Sequence, residues 1–344
     1  MRDNMATSGT KQVLGHWSRR QFLRTGVIGA AGACAALAGM CRTQRSVRQT
    51  STFISSVKNY QVELLQILMR GFKEIGVSKE AIAGKRVLLK PNLVEPHLGS
   101  AHINTHPIVA LAAVEAFTAL GASSVVIGEG AGHYRDFFWV LEESGYTDIL
   151  VRKGIQHVDL NTDSVTAVAN LGSGTQLRAF LLPNEVLKAD ILVSVAKMKL
   201  HHWAGVTLSM KNLFGIMPGK YYGWPKNTLH LAGIHESILD INASIKPYLA
   251  IVDGIVGMEG DGPIMGTAKE ANVLVMGRNF PAVDATCARI MGINPTKIQY
   301  LKGAPGLLGP VEEEDIEQRG EAIAAVRTDF RLVDEIPAHR GLRL

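Results

Sequence analysis

Two adjoining segments decide the fold: an apolar run, Ile191-Leu-Val-Ser-Val195, and the polar stretch after it, Lys197-Met-Lys-Leu-His-His-Trp-Ala-Gly-Val-Thr-Leu-Ser-Met-Lys-Asn-Leu-Phe-Gly-Ile-Met-Pro-Gly219. The apolar run predicts a buried strand. The polar stretch holds three lysines, two histidines and an asparagine within 16 positions, which is more charge than a buried element can hold unpaired. Open α/β sheets place ligand sites at such strand ends. We therefore predict a site here for a ligand that is anionic or bound to a metal ion.

The same alternation of strands and helices extends on both sides of this segment. Apolar runs predict further strands at 86–90, 124–128, 249–253 and 271–276, a hairpin over 165–182, and helices at 107–120, 234–245 and 281–291. Strands alternating with helices are typical of a mostly parallel sheet. The sequence therefore predicts an α/β fold, with a mostly parallel, mixed sheet covered by helices on both faces. We expect one domain, with any division into two lobes near residue 185.

The first 55 residues differ in composition from the rest. Ser18-Arg-Arg-Gln-Phe-Leu23 resembles a twin-arginine motif, and a small-residue cleavage site, Ala36-Leu-Ala38, follows a short apolar run. Residues 1–38 are predicted to be a signal peptide that sends the folded protein through the twin-arginine export machinery to the periplasm or another extracytoplasmic location. Residues 39–55, rich in Arg, Gln, Ser and Thr, predict a flexible tether. The main domain is expected over 56–310, followed by a C-terminal extension over 311–344.

Charge and cysteine content exclude several kinds of site. The whole chain has a formal net charge of +5, and residues 1–50 hold eight basic side chains and one acidic side chain. Residues 51–344 therefore have a net charge of −2 and offer no basic surface for nucleic acid. The three cysteines, at positions 34, 41 and 287, form no cluster, so no iron–sulfur cluster is expected. The apolar run near residue 30 is too short for a confident membrane span. Peripheral membrane anchoring would therefore require a retained or lipidated leader.

Candidate site residues follow several strands. Lysine attracts carboxylate or phosphate, histidine can move protons near neutral pH, and carboxylates bind hard cations. We predict substrate or cofactor binding by Lys90, Asn92, Lys197, Lys211 and Asn212, catalytic roles for His201, Lys199 and Glu259, and metal ligation by Asp253 and Asp261. Glu129 and His133 are further candidates. Structural roles remain open for each group, such as a solvated strand end, a capping histidine or a glycine-rich turn.

Side-chain direction adds one expectation within the polar stretch. Lys197, Lys199 and His201 alternate, so in an extended chain they point the same way and His202 points the opposite way.

Upstream, Gly128-Glu-Gly-Ala-Gly-His133 has histidine where the dinucleotide-binding fingerprint needs glycine. We therefore do not expect a dinucleotide at that loop.

In this order, these segments resemble the domain of unknown function 362 family. The resemblance covers residues 56–301, and its motifs include Lys90-Pro-Asn92, Thr105-His-Pro107, Lys197-x-Lys199-x-His201, Lys211-Asn-Leu-Phe-Gly215, Val252-Asp-Gly254 and Met258-Glu-Gly-Asp-Gly-Pro263. Some members of that family carry a cysteine-rich ferredoxin-like segment, which is absent from this sequence, so no iron–sulfur role is implied. The resemblance implies one coherent domain with a site in these loops, and no particular substrate.

Two classes of function fit these observations. The leading hypothesis is an exported enzyme that binds an anionic small molecule, as substrate or cofactor, at the strand ends. In it His201 acts as acid, base or metal ligand, and a lysine whose pKa is depressed by its neighbours acts as a base. The alternative is a non-catalytic periplasmic binding protein or an accessory protein for cofactor maturation. A metal ion is one candidate cofactor; the sequence identifies neither the cofactor nor the reaction.

Overall fold

The sheet predicted from the sequence forms the centre of the molecule. A computed structural model describes residues 50–97 and 99–344. Its strands are β1 (Thr50–Ser56), β2 (Arg86–Pro91), β3 (Ser124–Glu129), β4 (Gln156–Asp159), β5 (Val165–Ala169), β6 (Ala179–Pro183), β7 (Ile191–His201), β8 (Gly205–Thr207), β9 (Leu249–Glu259), β10 (Thr267–Gly277) and β11 (Ile316–Gly320).

Helices alternate with these strands along most of the described chain. They are α1 (Leu64–Glu74), α2 (Lys79–Ile82), α3 (Pro107–Ala119), α4 (Phe137–Glu143), α5 (Thr147–Lys153), α6 (Asn184–Lys188), α7 (Ser209–Asn212), α8 (Gly219–Tyr222), α9 (Asn227–Leu231), α10 (Ile234–Ile245), α11 (Phe280–Ile290), α12 (Gln299–Lys302) and α13 (Ile323–Val326). Short 3-10 helices occur at Leu213–Ile216, Pro295–Lys297, Glu313–Asp315 and Pro337–His339. In the described part of the chain, no helix is long and apolar enough to span a bilayer.

Nine strands form one mixed sheet. Eight of them follow the order β11-β1-β10-β9-β7-β2-β3-β4, and β8 pairs with the end of β7. Strands β4, β3, β2, β7 and β9 are mutually parallel, whereas β10 runs antiparallel to both of its neighbours. The predicted hairpin is a separate two-stranded sheet, β5 with β6. The mostly parallel, mixed sheet is therefore confirmed.

Helices cover both faces of this sheet because residues along each strand alternate between two apolar layers. In β7, Val193 and Val195 pack in one core cluster, and Leu192 and Ala196 pack in the other. Helices α1, α3 and α4 contribute buried side chains to the first cluster. Helices α10 and α11 contribute to the second. The α/β fold class predicted from the sequence is confirmed.

The ends of the domain differ from the prediction. Strand β1, Thr50–Ser56, covers the last six residues of the predicted tether and the first residue of the predicted domain, and its Phe53 and Ile54 are buried between β10 and β11. Strand β11, within the predicted C-terminal extension, belongs to the same sheet. Both strands gain their hydrogen bonds from partners distant in sequence, so local composition does not reveal them. The predicted signal peptide and residues 39–49 of the tether lie outside the described residues.

The start of α3 fixes the loop that follows β2. The side chain of His106, and not that of its neighbour Thr105, accepts the hydrogen bond from the Ile108 N–H, at 3.3 Å. The Thr105 hydroxyl donates instead to the Val195 carbonyl at 2.7 Å, and accepts from the Asn92 N–H at 2.9 Å. Thr105 thereby ties the end of β2 to β7, next to the site described below.

Candidate functional site

A cavity of about 340 Å³ lies at the ends of the parallel strands β2, β3 and β7. Carboxyl ends of neighbouring parallel strands are the usual position of ligand sites in this fold class. Its polar lining includes Lys90, Asn92, Glu129, His133, Lys199, His201, His202, Lys211, Asn212, Lys226, His230 and Asp261. The structure therefore brings together Lys90, Asn92, Lys199, His201, Lys211 and Asn212 of the predicted site residues.

A buried ion pair forms the inner wall of this cavity. The Lys90 ammonium lies 2.6 Å from Glu129 Oε1 and also donates to the Asn212 side-chain oxygen at 3.0 Å. Glu129 in addition accepts hydrogen bonds from the N–H groups of Leu93 and Gly130, at 2.7 and 2.8 Å. A buried charge pair is tolerated only when its remaining hydrogen-bonding capacity is satisfied. Glu129 thus neutralises Lys90 and has little capacity left for a second lysine.

Three other lysines reach the same cavity without a carboxylate partner. Lys199 donates to the carbonyls of Ile103 and Pro263, at 2.9 and 3.3 Å. Lys211 lies 4.1 Å from the centre of the Phe214 ring. Lys226 donates to the Asn161 side chain. Within residues 50–97 and 99–344, none of the three forms an ion pair.

Burial makes these lysines weaker bases than usual, because it disfavours the charged form. Burial, with the neighbouring charge of Lys90, lowers the pKa of Lys211 to about 7. Burial also lowers the pKa of Lys226 to about 7, although Glu129 opposes this. For Lys199, burial and then the charges of Lys197 and Lys211 hold the pKa well below its ordinary value. An anion nearby would favour the protonated form of each lysine.

His201 is held in one tautomer by the turn that follows β7. Its Nδ1 accepts hydrogen bonds from the backbone N–H groups of Trp203 and Ala204, at 3.0 and 3.2 Å. An imidazole nitrogen that accepts carries no proton, so the neutral ring carries its proton on Nε2. Burial and the charge of Lys211 hold the pKa of His201 well below its usual value. His201 is therefore placed to donate a hydrogen bond from Nε2, and not to act as the base or metal ligand proposed from the sequence.

Two of the predicted site residues pair with each other away from the cavity lining. The Lys197 ammonium lies 2.6 Å from Asp253 Oδ2, and both side chains are fully buried. Lys197 also donates to the Ala101 carbonyl at 2.8 Å, and Asp253 accepts from the hydroxyl of Tyr60 at 3.1 Å. These contacts give both residues a structural role between β7 and β9. They differ from the predicted ligand-binding and metal-binding roles.

Of the two remaining acidic candidates, Asp261 lines the cavity and Glu259 does not. Glu259 accepts from the Arg331 backbone N–H at 2.9 Å and lies 3.8 Å from Lys269; it does not line the cavity. Asp261 lines the cavity beside His202, with its oxygen 3.7 Å from His202 Nδ1. In the part of the chain that the structure describes, no group of three or more His, Cys, Asp or Glu side chains is placed to hold a metal ion.

The His202 side chain does not point away from the His201 side chain, as was expected from the sequence. Lys197 and Lys199 do point the same way, since their ammonium groups contact the carbonyls of Ala101 and Ile103. However, β7 ends at His201, and the chain turns at once. His202 therefore also lines the cavity, with its ring 5.0 Å from that of His201.

Two cavity residues were not identified as binding residues from the sequence: Lys226, in the loop before α9, and His230, on that short helix. The Lys226 side chain contacts Asn161, which lies just after β4. The sequence signal is weak here, because the loop that carries Lys226 does not follow an apolar strand that would mark a strand end. Burial and the charge of Lys211 lower the pKa of His230 to about 4, which leaves its ring neutral near pH 7.

A buried carboxylate behind the cavity holds the segment that carries Lys211. Asp284, on α11, accepts hydrogen bonds from the backbone N–H groups of Ser209 and Met210, at 2.8 and 3.1 Å. The Ser209 hydroxyl donates to the same carboxylate at 2.5 Å. Burial raises the pKa of Asp284 to about 7, although these donors oppose the shift. Asp284 thus orients α7, whose last two residues are cavity residues.

The chain is similar to several known proteins. The chain is 30% identical over 243 residues to a thylakoid-associated protein of Synechocystis sp.. The aligned region covers 67% of this chain and 71% of that protein. The lactate racemase apoprotein of Thermoanaerobacterium thermosaccharolyticum is 13% identical over 71% of this chain, with a TM-score of 0.47. A Thermotoga maritima protein is 11% identical over 68% of this chain, with a TM-score of 0.38. This chain spans 57% and 59% of those two structures.

The family assignment follows from a match over more than half of the chain. Residues 87–289 match the family described as Domain of unknown function (DUF362). This span includes β3, β7, α7 and all of β2 after Arg86, which together supply half of the polar cavity residues named above. The chain belongs to the DUF362 family.

Proposed function

We propose that the protein is an enzyme whose cavity binds an anionic small molecule. The observation that supports this proposal is the convergence of Lys199, Lys211 and Lys226 on one cavity without an ion-pair partner among the described residues. Buried lysines are unfavourable unless a counter-charge is present. A bound carboxylate or phosphate would supply that charge, and the side chain of Asn92 lies at the same wall.

Lys199 is the proposed base. A neutral lysine has two N–H groups, and both can be donated to the carbonyls of Ile103 and Pro263. The nitrogen lone pair is then free to accept a proton from a substrate in the cavity. His201 Nε2–H would stabilise the negative charge that develops on a substrate oxygen. The proposed chemistry is therefore proton abstraction from an anionic substrate held by Lys211 and Lys226.

Binding is tested by titrating the protein with inorganic phosphate in a calorimeter, in two buffers that differ in ionisation enthalpy. Because Lys211 and Lys226 have pKa values near 7, phosphate binding should be accompanied by proton uptake at neutral pH. Lys211→Met should weaken binding about tenfold or more, as expected for loss of ~1.5–3 kcal/mol from a hydrogen bond to a charged group. Lys302→Met, on the exposed end of α12, is the matched control and should bind as the wild type does. Equal weakening by both substitutions would contradict the proposal.

Catalysis is tested separately from binding. Ligands retained by natively purified protein are identified by mass spectrometry and then incubated with the protein in D₂O. Proton abstraction by Lys199 predicts deuterium in the recovered ligand, and Lys199→Met should abolish this exchange. A ligand recovered unchanged and without deuterium would favour the alternative, a non-catalytic binding or accessory protein.

We also propose export through the twin-arginine route. The support comes from Arg19 and Arg20 and from the apolar run that follows them in the sequence. Replacing both arginines by lysine should retain the protein in the cytoplasmic fraction, as measured by immunoblotting of cell fractions. Unchanged distribution of that variant would contradict the export proposal and leave the cavity proposal unaffected.

A further inference from the structure

The outer part of the cavity is apolar and exposed, in contrast to its charged inner wall. Trp203 and Met265 line the cavity, yet they are 53% and 78% exposed. The residues directly after the lining residues His133 and His230, Tyr134 and Leu231, are 81% and 89% exposed. We call the two exposed lining side chains, Trp203 and Met265, the apolar rim. Clustered exposed apolar side chains mark binding surfaces more often than scattered ones do.

Trp203 packs against two residues of the cavity wall. The Trp203 ring lies edge-on to His202 and His230, with ring centres 4.7 and 5.0 Å apart. The Tyr134 ring lies edge-on to Trp224, at 5.2 Å. Histidine rings that are neutral, as His230 is near pH 7, add an aromatic surface and no charge. The entrance therefore favours apolar or aromatic groups.

The lysines lie at the inner wall of the cavity, whereas the carboxylate of Asp261, beside His202, is more than half exposed. Lys90 and Lys199 are fully buried at the inner wall, and Phe214 packs under the Lys211 ammonium. A ligand that fits both regions must have an anionic group at one end and an apolar group at the other. The size of the cavity agrees with this requirement. Its volume of about 340 Å³ falls within the ~300–1,000 Å³ of small-molecule sites and exceeds the need of one inorganic oxyanion.

We propose that the ligand is an amphiphilic anion, in which a carboxylate or phosphate is attached to an aromatic or alkyl body that contacts the apolar rim. This inference rests on the proposed function, because it assumes that the inner lysines bind the anionic group. It adds the chemical class of the rest of the molecule. The rim then selects among anions that the lysines alone would not distinguish.

The test is a series of n-alkyl phosphates, from methyl to hexyl phosphate, titrated into the full-length protein with inorganic phosphate as the reference. Each methylene that contacts the rim should tighten Kd up to about fourfold, the equivalent of ~0.8 kcal/mol per buried methylene. Trp203→Ser and Met265→Ser should flatten this dependence on chain length. Val151→Ser, an equally exposed apolar position on α5 outside the cavity lining, should leave it unchanged.

Three outcomes would overturn the inference. The first is a Kd that is independent of chain length while inorganic phosphate still binds, which would leave the proposed function intact. The second is an unchanged slope in both rim variants. The third is a flat series together with sedimentation of the protein on vesicles of phosphatidylcholine and phosphatidylglycerol, which would make the rim a membrane contact. If no phosphate binds at all, with or without an alkyl chain, the proposed function itself fails.

Discussion

Replacing Lys211 by methionine should change how the stability of the protein depends on pH. Burial and the charge of Lys90 lower the pKa of Lys211 from 10.5 to about 7 in the folded state. Between these two values the unfolded chain binds more protons than the folded chain, so the free energy of unfolding rises with pH. One proton of difference corresponds to about 1.4 kcal/mol per pH unit. Between about pH 7.5 and about pH 9, Lys211 is mostly neutral in the folded state and mostly charged in the unfolded chain. Over this range the free energy of unfolding should rise by about 2 kcal/mol.

The assay is urea unfolding of both proteins at these two pH values, in a buffer free of phosphate. The free energy of unfolding of the wild type should rise by about 2 kcal/mol more than that of Lys211→Met. Lys302→Met, on the surface, should keep the wild-type dependence. If Lys211→Met also keeps it, Lys211 has an ordinary pKa, and the account of an unpaired buried lysine is refuted.

Three further predictions concern the walls of the cavity. Glu129→Gln should destabilise the protein by ~3–5 kcal/mol in urea unfolding, because Lys90 then has no counter-charge, and the added substitution Lys90→Met should recover part of that loss. Asp284→Asn should lower the free energy of unfolding by about 1–3 kcal/mol at pH 8, since an amide cannot accept all the hydrogen bonds made by the carboxylate. An unchanged midpoint of urea unfolding would contradict the role of Asp284 in orienting α7. At pH 6.5, where an ordinary histidine is half protonated, His201 should be neutral with its proton on Nε2, because burial lowers its pKa; ¹⁵N NMR showing protonation at Nδ1 would contradict the assigned tautomer.

The sequence predicts those parts of the fold in which local pattern and tertiary position agree. The apolar run Ile191–Val195 lies at the centre of the sheet as predicted, and Pro107–Ala119 is helical with its proline in the first turn. Strand β1 shows the opposite case. Thr50–Ser56 is polar enough to predict a tether, and it is a strand only because β10 and β11, both more than 200 residues away, pair with it. Such pairing is a property of the whole chain and has no local signal.

The same distinction applies to the site. Lys199, His201 and Lys211 line one cavity; the first two lie at the end of β7, and Lys211 lies on α7 shortly after it, so their closeness in sequence already links them. Lys197 has an identical local context, yet it pairs with Asp253, and a sequence does not tell which charges neutralise each other. Lys226 reaches the cavity from a loop with no strand before it. Its role depends on long-range packing, which pattern and spacing do not encode.

Strand β1 also links the start of the folded domain to the cavity. The Thr52 hydroxyl lies 3.3 Å from that of Thr286 on α11, two residues from Asp284. Asp284 in turn holds the backbone of Ser209 and Met210, which leads directly to Lys211. A chain that begins at residue 57 would therefore lose an interior strand of the sheet together with the contact between Thr52 and the helix that carries Asp284. Protein prepared for ligand screening should begin before Thr50, so that this link to the segment bearing Lys211 is kept.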